Sequence, residues 1–135
     1  MLEEGDELVD VALVGDDRTE VVLATHAGQA VRFPLSEVRP TGRATFGVIG
    51  IRLSEEHDDA VVALAPVSDR YPDLLTLTTT GYGKRSPTDD YRETRRGAKG
   101  VRTIRTGGRN GAVVAVLPTS DHSEVLVTTQ RGVTI

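Results

Sequence analysis

A chain of 135 residues with 16 basic and 20 acidic side chains carries a formal net charge of −4, and that length suits one domain or a few small units sharing a core. It has no cysteine, which excludes a disulfide framework, thiolate zinc sites and thiol nucleophiles. Its apolar runs, such as 61–64 and 112–117, are too short to span a membrane, and its acidic start lacks the basic-then-apolar order of a signal peptide, so a soluble cytoplasmic protein is expected.

Along the chain, short β-branched runs alternate with turn residues, and no 11-residue window shows the i, i+3, i+4, i+7 apolar spacing of a helix. A first strand is predicted over 8–13, followed by the polar turn Gly15-Asp16-Asp17 and a second strand over 21–25. The Gly28 turn supplies a positive-φ position for a hairpin into a third strand, 29–33. A long basic loop, 34–46, leads to a fourth strand over 47–53. The same order then returns: strands over 60–65, 74–79 and 83–85, a basic loop over 87–99, and a strand over 100–105. A third unit begins with strands over 112–117 and 125–129.

This recurrence is a repeat of about 52 residues. A shift of 53 superimposes Arg32 on Arg85, Pro34 on Pro87, Glu37 on Asp90, Arg39 on Arg92 and Arg43 on Arg96. It also places Gly47-Val48 on Gly100-Val101 and Ile51-Arg52 on Ile104-Arg105. Repeats of this length with four short strands each predict an all-β, propeller-like array. Its units cover about 8–59, 60–111 and an incomplete 112–135. The last stops in mid-hairpin and would leave an unpaired edge, so the chain reads as part of a longer array; a short natural chain or an intermolecular contact would also account for it.

Charge is banded. Residues 1–30 hold eight acids and one arginine (−7), residues 31–52 four arginines and one glutamate (+3), and residues 53–80 return to −5. Residues 81–109 then carry nine basic groups against three acids (+6). A dense band of one sign makes a local field that the overall acidity conceals, and it points to an anionic partner.

No catalytic constellation stands out. His26, His57 and His122 fall in separate turns without ligand spacing, and the acidic run Glu55-Glu56-His57-Asp58-Asp59 has no carboxylate in its repeat counterpart, so no metal is expected. Gly81-Tyr82-Gly83-Lys84-Arg85-Ser86 lacks the glycine spacing and the following helix of a phosphate loop. Tyr71, Tyr82 and Tyr91 read as packing or loop-anchoring groups. What remains is the loop Arg92-Glu93-Thr94-Arg95-Arg96-Gly97-Ala98-Lys99-Gly100, flanked by Lys84, Arg85, Arg102 and Arg105. Guanidinium forks and glycines that admit close backbone approach suit phosphates. An aromatic content of 4% argues against stacking on single strands and for duplex DNA held by its backbone.

At these residues the chain resembles a known family. Gly28-Gln29-Ala30-Val31-Arg32-Phe33, Glu37-Val38-Arg39-Pro40-Thr41-Gly42-Arg43, Gly47-Val48-Ile49-Gly50-Ile51-Arg52-Leu53, Gly81-Tyr82-Gly83-Lys84-Arg85-Ser86-Pro87 and Arg109-Asn110-Gly111 are similar to the repeats of the DNA gyrase A C-terminal domain and its topoisomerase IV relatives. The resemblance implies a β-pinwheel whose basic rim wraps duplex DNA without sequence preference, so that an ATP-driven type II enzyme can introduce negative supercoils. The family's basic box, Gln-Arg-Arg-Gly-Gly-Lys-Gly, is matched by Thr94-Arg95-Arg96-Gly97-Ala98-Lys99-Gly100, with Thr94 and Ala98 departing from it. The context implies later blades, with the box itself upstream.

The implied DNA-binding residues are Arg32, Arg39, Arg43, Lys84, Arg85, Arg92, Arg95, Arg96, Lys99 and Arg102. The implied partners are double-stranded DNA, the remainder of the gyrase A polypeptide and the gyrase B polypeptide, in a cytoplasmic, nucleoid-associated setting. The resemblance assigns no cofactor to this chain, since ATP and Mg²⁺ would serve other parts of the parent enzyme, and it carries over no catalytic residue. The contrasting expectation is a protein-interaction propeller module whose basic loops grip acidic partners.

Overall fold

The computed structural model describes residues 2–15, 19–54 and 58–135. Its strands are β1 (Glu20–Thr25), β2 (Gln29–Pro34), β3 (Val61–Val67), β4 (Asp73–Thr78), β5 (Gly83–Pro87), β6 (Val101–Arg102) and β7 (Val113–Thr119), with three single-turn 3-10 segments between them. Two antiparallel sheets result, in the orders β3-β1-β2-β6 and β5-β4-β7. The fold is all-β, as the repeat predicts. Among the described residues no helix is long and apolar enough to cross a membrane.

The two hairpins follow one recipe. β1 meets β2 with Val22 opposite Arg32, and β4 meets β5 with Leu75 opposite Arg85. Gly28 and Gly81 close their turns at φ of 84° and 85°, where a Cβ would be strained. A register shift falls between Ala24 and Thr25 and again between Leu77 and Thr78, 53 positions on.

Strand exchange is where the structure departs from self-contained units. β3, the first strand of the second unit, pairs with β1 of the first, and β7 pairs in the same way with β4. β6 crosses back to pair with β2, Ala30 facing Val101. Each sheet therefore borrows from the unit that follows it. Residues 8–13, the repeat equivalents of β3 and β7, pair with no strand among the described residues. They form no strand, and Leu8, Val11 and Leu13 are exposed. The predicted strand over 47–53 reduces to one parallel bridge, Ile51 with Ala98, and that over 125–129 to a bridge between Thr128 and Thr134. The strand over 100–105 shrinks to Val101–Arg102. Asp16, Asp17, Glu55, Glu56 and His57, which enter the predicted turn and acidic run, lie outside the described residues.

The main core lies between the sheets and is built from Val22, Ala24, Ala30, Ala63, Ala65, Val67, Leu74, Tyr91, Val113 and Val116. Four alanines at this junction let the two sheets approach closely, and burial of this apolar surface drives their docking. A second cluster, Val21, Val31, Phe33 and Ile51, covers the other face of the first sheet. Strict alternation in β4 turns Leu74, Thr76 and Thr78 inward. The hydroxyl of Thr76 is satisfied by Thr103 at 2.9 Å, and Thr103 in turn by the Tyr91 hydroxyl at 2.5 Å. Tyr91 thus ties the start of the second basic loop into the core.

Candidate nucleic-acid interface

The second basic loop does not hang free over its own unit. It lies across the first unit, held largely by backbone hydrogen bonds. The Thr94 amide donates to the Arg32 carbonyl at 2.8 Å, the Gly97 amide to the Gly50 carbonyl at 2.6 Å, and the Arg52 amide to the Ala98 carbonyl at 2.9 Å. The Arg96 amide donates to the Glu37 carboxylate at 2.9 Å. Its guanidinium donates to the carbonyls of Glu37 and Ile49, each at 3.3 Å. Gly97 and Gly100 turn the loop at φ of 76° and 79°, and a Cβ on Gly100 would stand 2.3 Å from the Ala30 carbonyl oxygen. A glycine is required there because the loop crosses β2 at backbone contact.

The candidate cations divide by what they touch. Arg32 is enclosed, with 16% of its side chain exposed. Its Nε and one terminal nitrogen donate to Glu20 at 2.9 and 2.7 Å, and the other reaches the Thr88 carbonyl at 3.0 Å and the Tyr91 carbonyl at 3.3 Å. Burial alone would lower its pKa, but the hydrogen bond and charge of Glu20, then those of Asp89, outweigh burial and raise it. Arg85 repeats this arrangement 53 positions on. It is clamped between Asp73 and Asp121, the latter at 2.6 Å. The hydrogen bonds that Arg85 donates to Asp121 and then to Asp73 raise its pKa, and Arg85 in turn holds the Asp121 carboxyl below its usual range. Nearby, the neighbouring Glu20 carboxyl, then desolvation, raises the pKa of Glu93 against the opposing charge of Arg32.

Arg39, Arg43, Arg92, Arg95, Lys99 and Arg102 are exposed and form no ion pair among the described residues. Lys84 is exposed as well, with a long 3.5 Å contact to the Thr103 carbonyl. The docked loop brings Arg92, Arg95 and Lys99 onto the first unit, its 93–94 stretch beside Arg32 and its 96–98 stretch beside residues 49–52. Arg39 and Arg43 follow on the exposed stretch after Glu37, while Lys84 and Arg85 belong to β5 of the other sheet. Arg52 joins Lys99 in lining a cleft of about 680 Å³, together with Gln29, Leu53, Ser54, Asp59 and Gly100. Sequence reasoning passed over Arg52 as a candidate, although it is the repeat counterpart of Arg105 and so carried a usable signal. Among the described residues no group of three or more His, Asp or Glu is placed to hold a metal ion. The arrangement offers separated, solvent-facing cations on a loop with fixed backbone, which matches the spaced charges of a phosphodiester chain better than one compact anion.

Comparison with known proteins gives consistent neighbours. A family model described as the DNA gyrase C-terminal domain, beta-propeller, matches residues 19–68 and 72–120. The gyrase A polypeptide of Deinococcus deserti is 46% identical over 136 residues, covering 99% of this chain and 17% of that protein. Its Haloquadratum walsbyi equivalent is 42% identical over 128 residues, covering 94% of this chain and 15% of that protein. The chain thus spans about a sixth of the length of these relatives. A crystal structure of the C-terminal domain of DNA topoisomerase IV superimposes with a TM-score of 0.87 at 26% identity, covering all of this chain and 41% of that one. A DNA gyrase A C-terminal domain gives 0.81 at 32% identity, covering 90% and 41%.

Proposed function

The chain belongs to the DNA gyrase C-terminal domain family, and from that premise we propose that it is the non-catalytic duplex-DNA-binding and wrapping part of a type II DNA topoisomerase. The observation that carries this reading is the docked loop, whose Arg92, Arg95 and Lys99 stay exposed while Arg96 is used to hold it. Duplex DNA passing over these units would exchange condensed counterions for the guanidinium and ammonium groups, a contact that fixes position without reading sequence. Arg39, Arg43, Arg52 and Arg102 would extend the track. Arg32 and Arg85 would keep the underlying hairpins in register, their charges already matched by carboxylates.

In the whole enzyme this wrapping would support ATP-dependent negative supercoiling in the cytoplasm, on nucleoid DNA. The remainder of the gyrase A polypeptide and the gyrase B polypeptide would supply the cleavage chemistry, ATP and Mg²⁺. The test is binding to duplexes of about 40 base pairs with unrelated sequences, a length that exceeds the footprint of a few phosphate contacts. Charge reversal of Arg95 together with Lys99 should weaken binding to all of them alike. Undetectable binding by the folded chain would overturn the proposal, as would a partner captured equally well after nuclease treatment.

A further inference from the structure

By charge alone, Glu37 is misplaced. It is an acid set against the basic loop, and its field opposes any DNA lying there. Its contacts point the other way. The Glu37 carboxylate accepts the Arg96 amide at 2.9 Å, and its carbonyl accepts the Arg96 guanidinium at 3.3 Å. Arg92 and Arg95 precede this pin, and Lys99 follows it. Elsewhere the loop is held by the backbone hydrogen bonds of Thr94, Gly97 and Ala98 to the first unit.

We infer that Glu37 is a positioning residue for DNA binding, an acid whose carboxylate fixes the basic loop of the next unit so that losing it weakens the grip on DNA. The inference rests on the DNA-binding reading above. A loop ordered before DNA arrives does not have to be ordered at the moment of binding, and that saving enters the affinity directly. Repulsion between the half-buried Glu37 and phosphates farther off than about 8–10 Å is screened at ordinary ionic strength, whereas the hydrogen bond is not.

Two variants separate the effects, because both remove the charge and only one keeps a geometrically equivalent acceptor. Glu37→Gln retains a side-chain oxygen for the Arg96 amide, and it should bind DNA at least as tightly as the unaltered chain. Glu37→Ala should raise the Kd for duplex DNA by about fivefold, the order expected for one net hydrogen bond. Amide hydrogen exchange at Arg96, measured without DNA, should accelerate in Glu37→Ala and not in Glu37→Gln. Equal or tighter DNA binding by Glu37→Ala relative to Glu37→Gln overturns the inference, and so does unchanged Arg96 exchange in Glu37→Ala. If the unaltered chain itself binds no DNA, the functional reading fails and takes this role with it, while the exchange result still reports whether Glu37 holds the loop.

Discussion

Replacing Arg32 by methionine keeps an unbranched stem of similar reach and deletes the guanidinium. The loss leaves the Glu20 carboxylate, itself only 17% exposed, without its cation, and frees the Thr88 and Tyr91 carbonyls. Breaking a fully buried pair from one side costs about 3–5 kcal/mol, and an exposed pair contributes about 0–1 kcal/mol. This pair lies between those limits, so the expected cost is about 2 kcal/mol. With an unfolding entropy of roughly 2 cal/mol/K per residue, that lowers Tm by roughly 7 °C. Reversible thermal unfolding followed by circular dichroism reads the shift, and a salt titration of DNA binding reads the other half of the claim. The slope of log K against log salt should match that of the unaltered chain, because Arg32 already spends its charge on Glu20. An unchanged Tm with a slope shallower by about 0.9, the value of one phosphate contact, would refute the reasoning.

Other expectations follow from the same contacts. Gly100→Ala should cost about 2–3 kcal/mol in urea unfolding, since a positive φ is combined with a Cβ set against the Ala30 carbonyl. Gly107→Ala also falls at a positive φ, 85°, but meets nothing within 4 Å, so it should cost only about 1 kcal/mol; equal costs would mean that β2 yields. Leu74→Ala, at a side chain with no exposure in the core between the sheets, should cost about 3 kcal/mol. Arg85 depresses the pKa of Asp121, so the stability from this contact is fully present above the usual carboxylate pKa of about 4 and is lost as pH falls through the lower folded value. Asp121→Asn should therefore flatten the acid limb of a Tm-versus-pH curve below about pH 4, and an identical limb would count against the contact.

Most of the fold was legible because strands and turns leave local marks. Gly28 and its counterparts Gly81 and Gly132, each three residues after a threonine, sit at positive φ, and short β-branched runs on either side of such turns marked the two hairpins. Partner choice was harder to see. A repeat specifies which segments are equivalent but not whether the first strand of a unit joins its own sheet or the one before, and β3 joins the one before. The roles of Arg32 and Arg85 were hidden for a related reason. Both align as recurring cations, which suits a rim. Once the hairpin register is known, with Glu20 opposite Pro34 and Val22 opposite Arg32, Glu20 falls on the same face as Arg32 two positions away. The counterparts in the second hairpin, Asp73 opposite Pro87 and Leu75 opposite Arg85, repeat the geometry. Register converts a surface charge into a clamp. The basic loop itself was plain in the sequence, but its docking onto the first unit depends on backbone carbonyls of Arg32, Gly50 and Ile49, which no side-chain pattern reveals.

The central claim is that cations left unpaired by the fold hold duplex DNA by its phosphates, and the salt dependence of binding tests it most directly. With about five phosphates neutralised, log K should fall against log salt with a slope of roughly −4.5, and Arg95→Ala with Lys99→Ala should flatten it by about 1.8 at unchanged Tm. Binding that is insensitive to salt, or a slope that the double variant leaves untouched, would contradict the account.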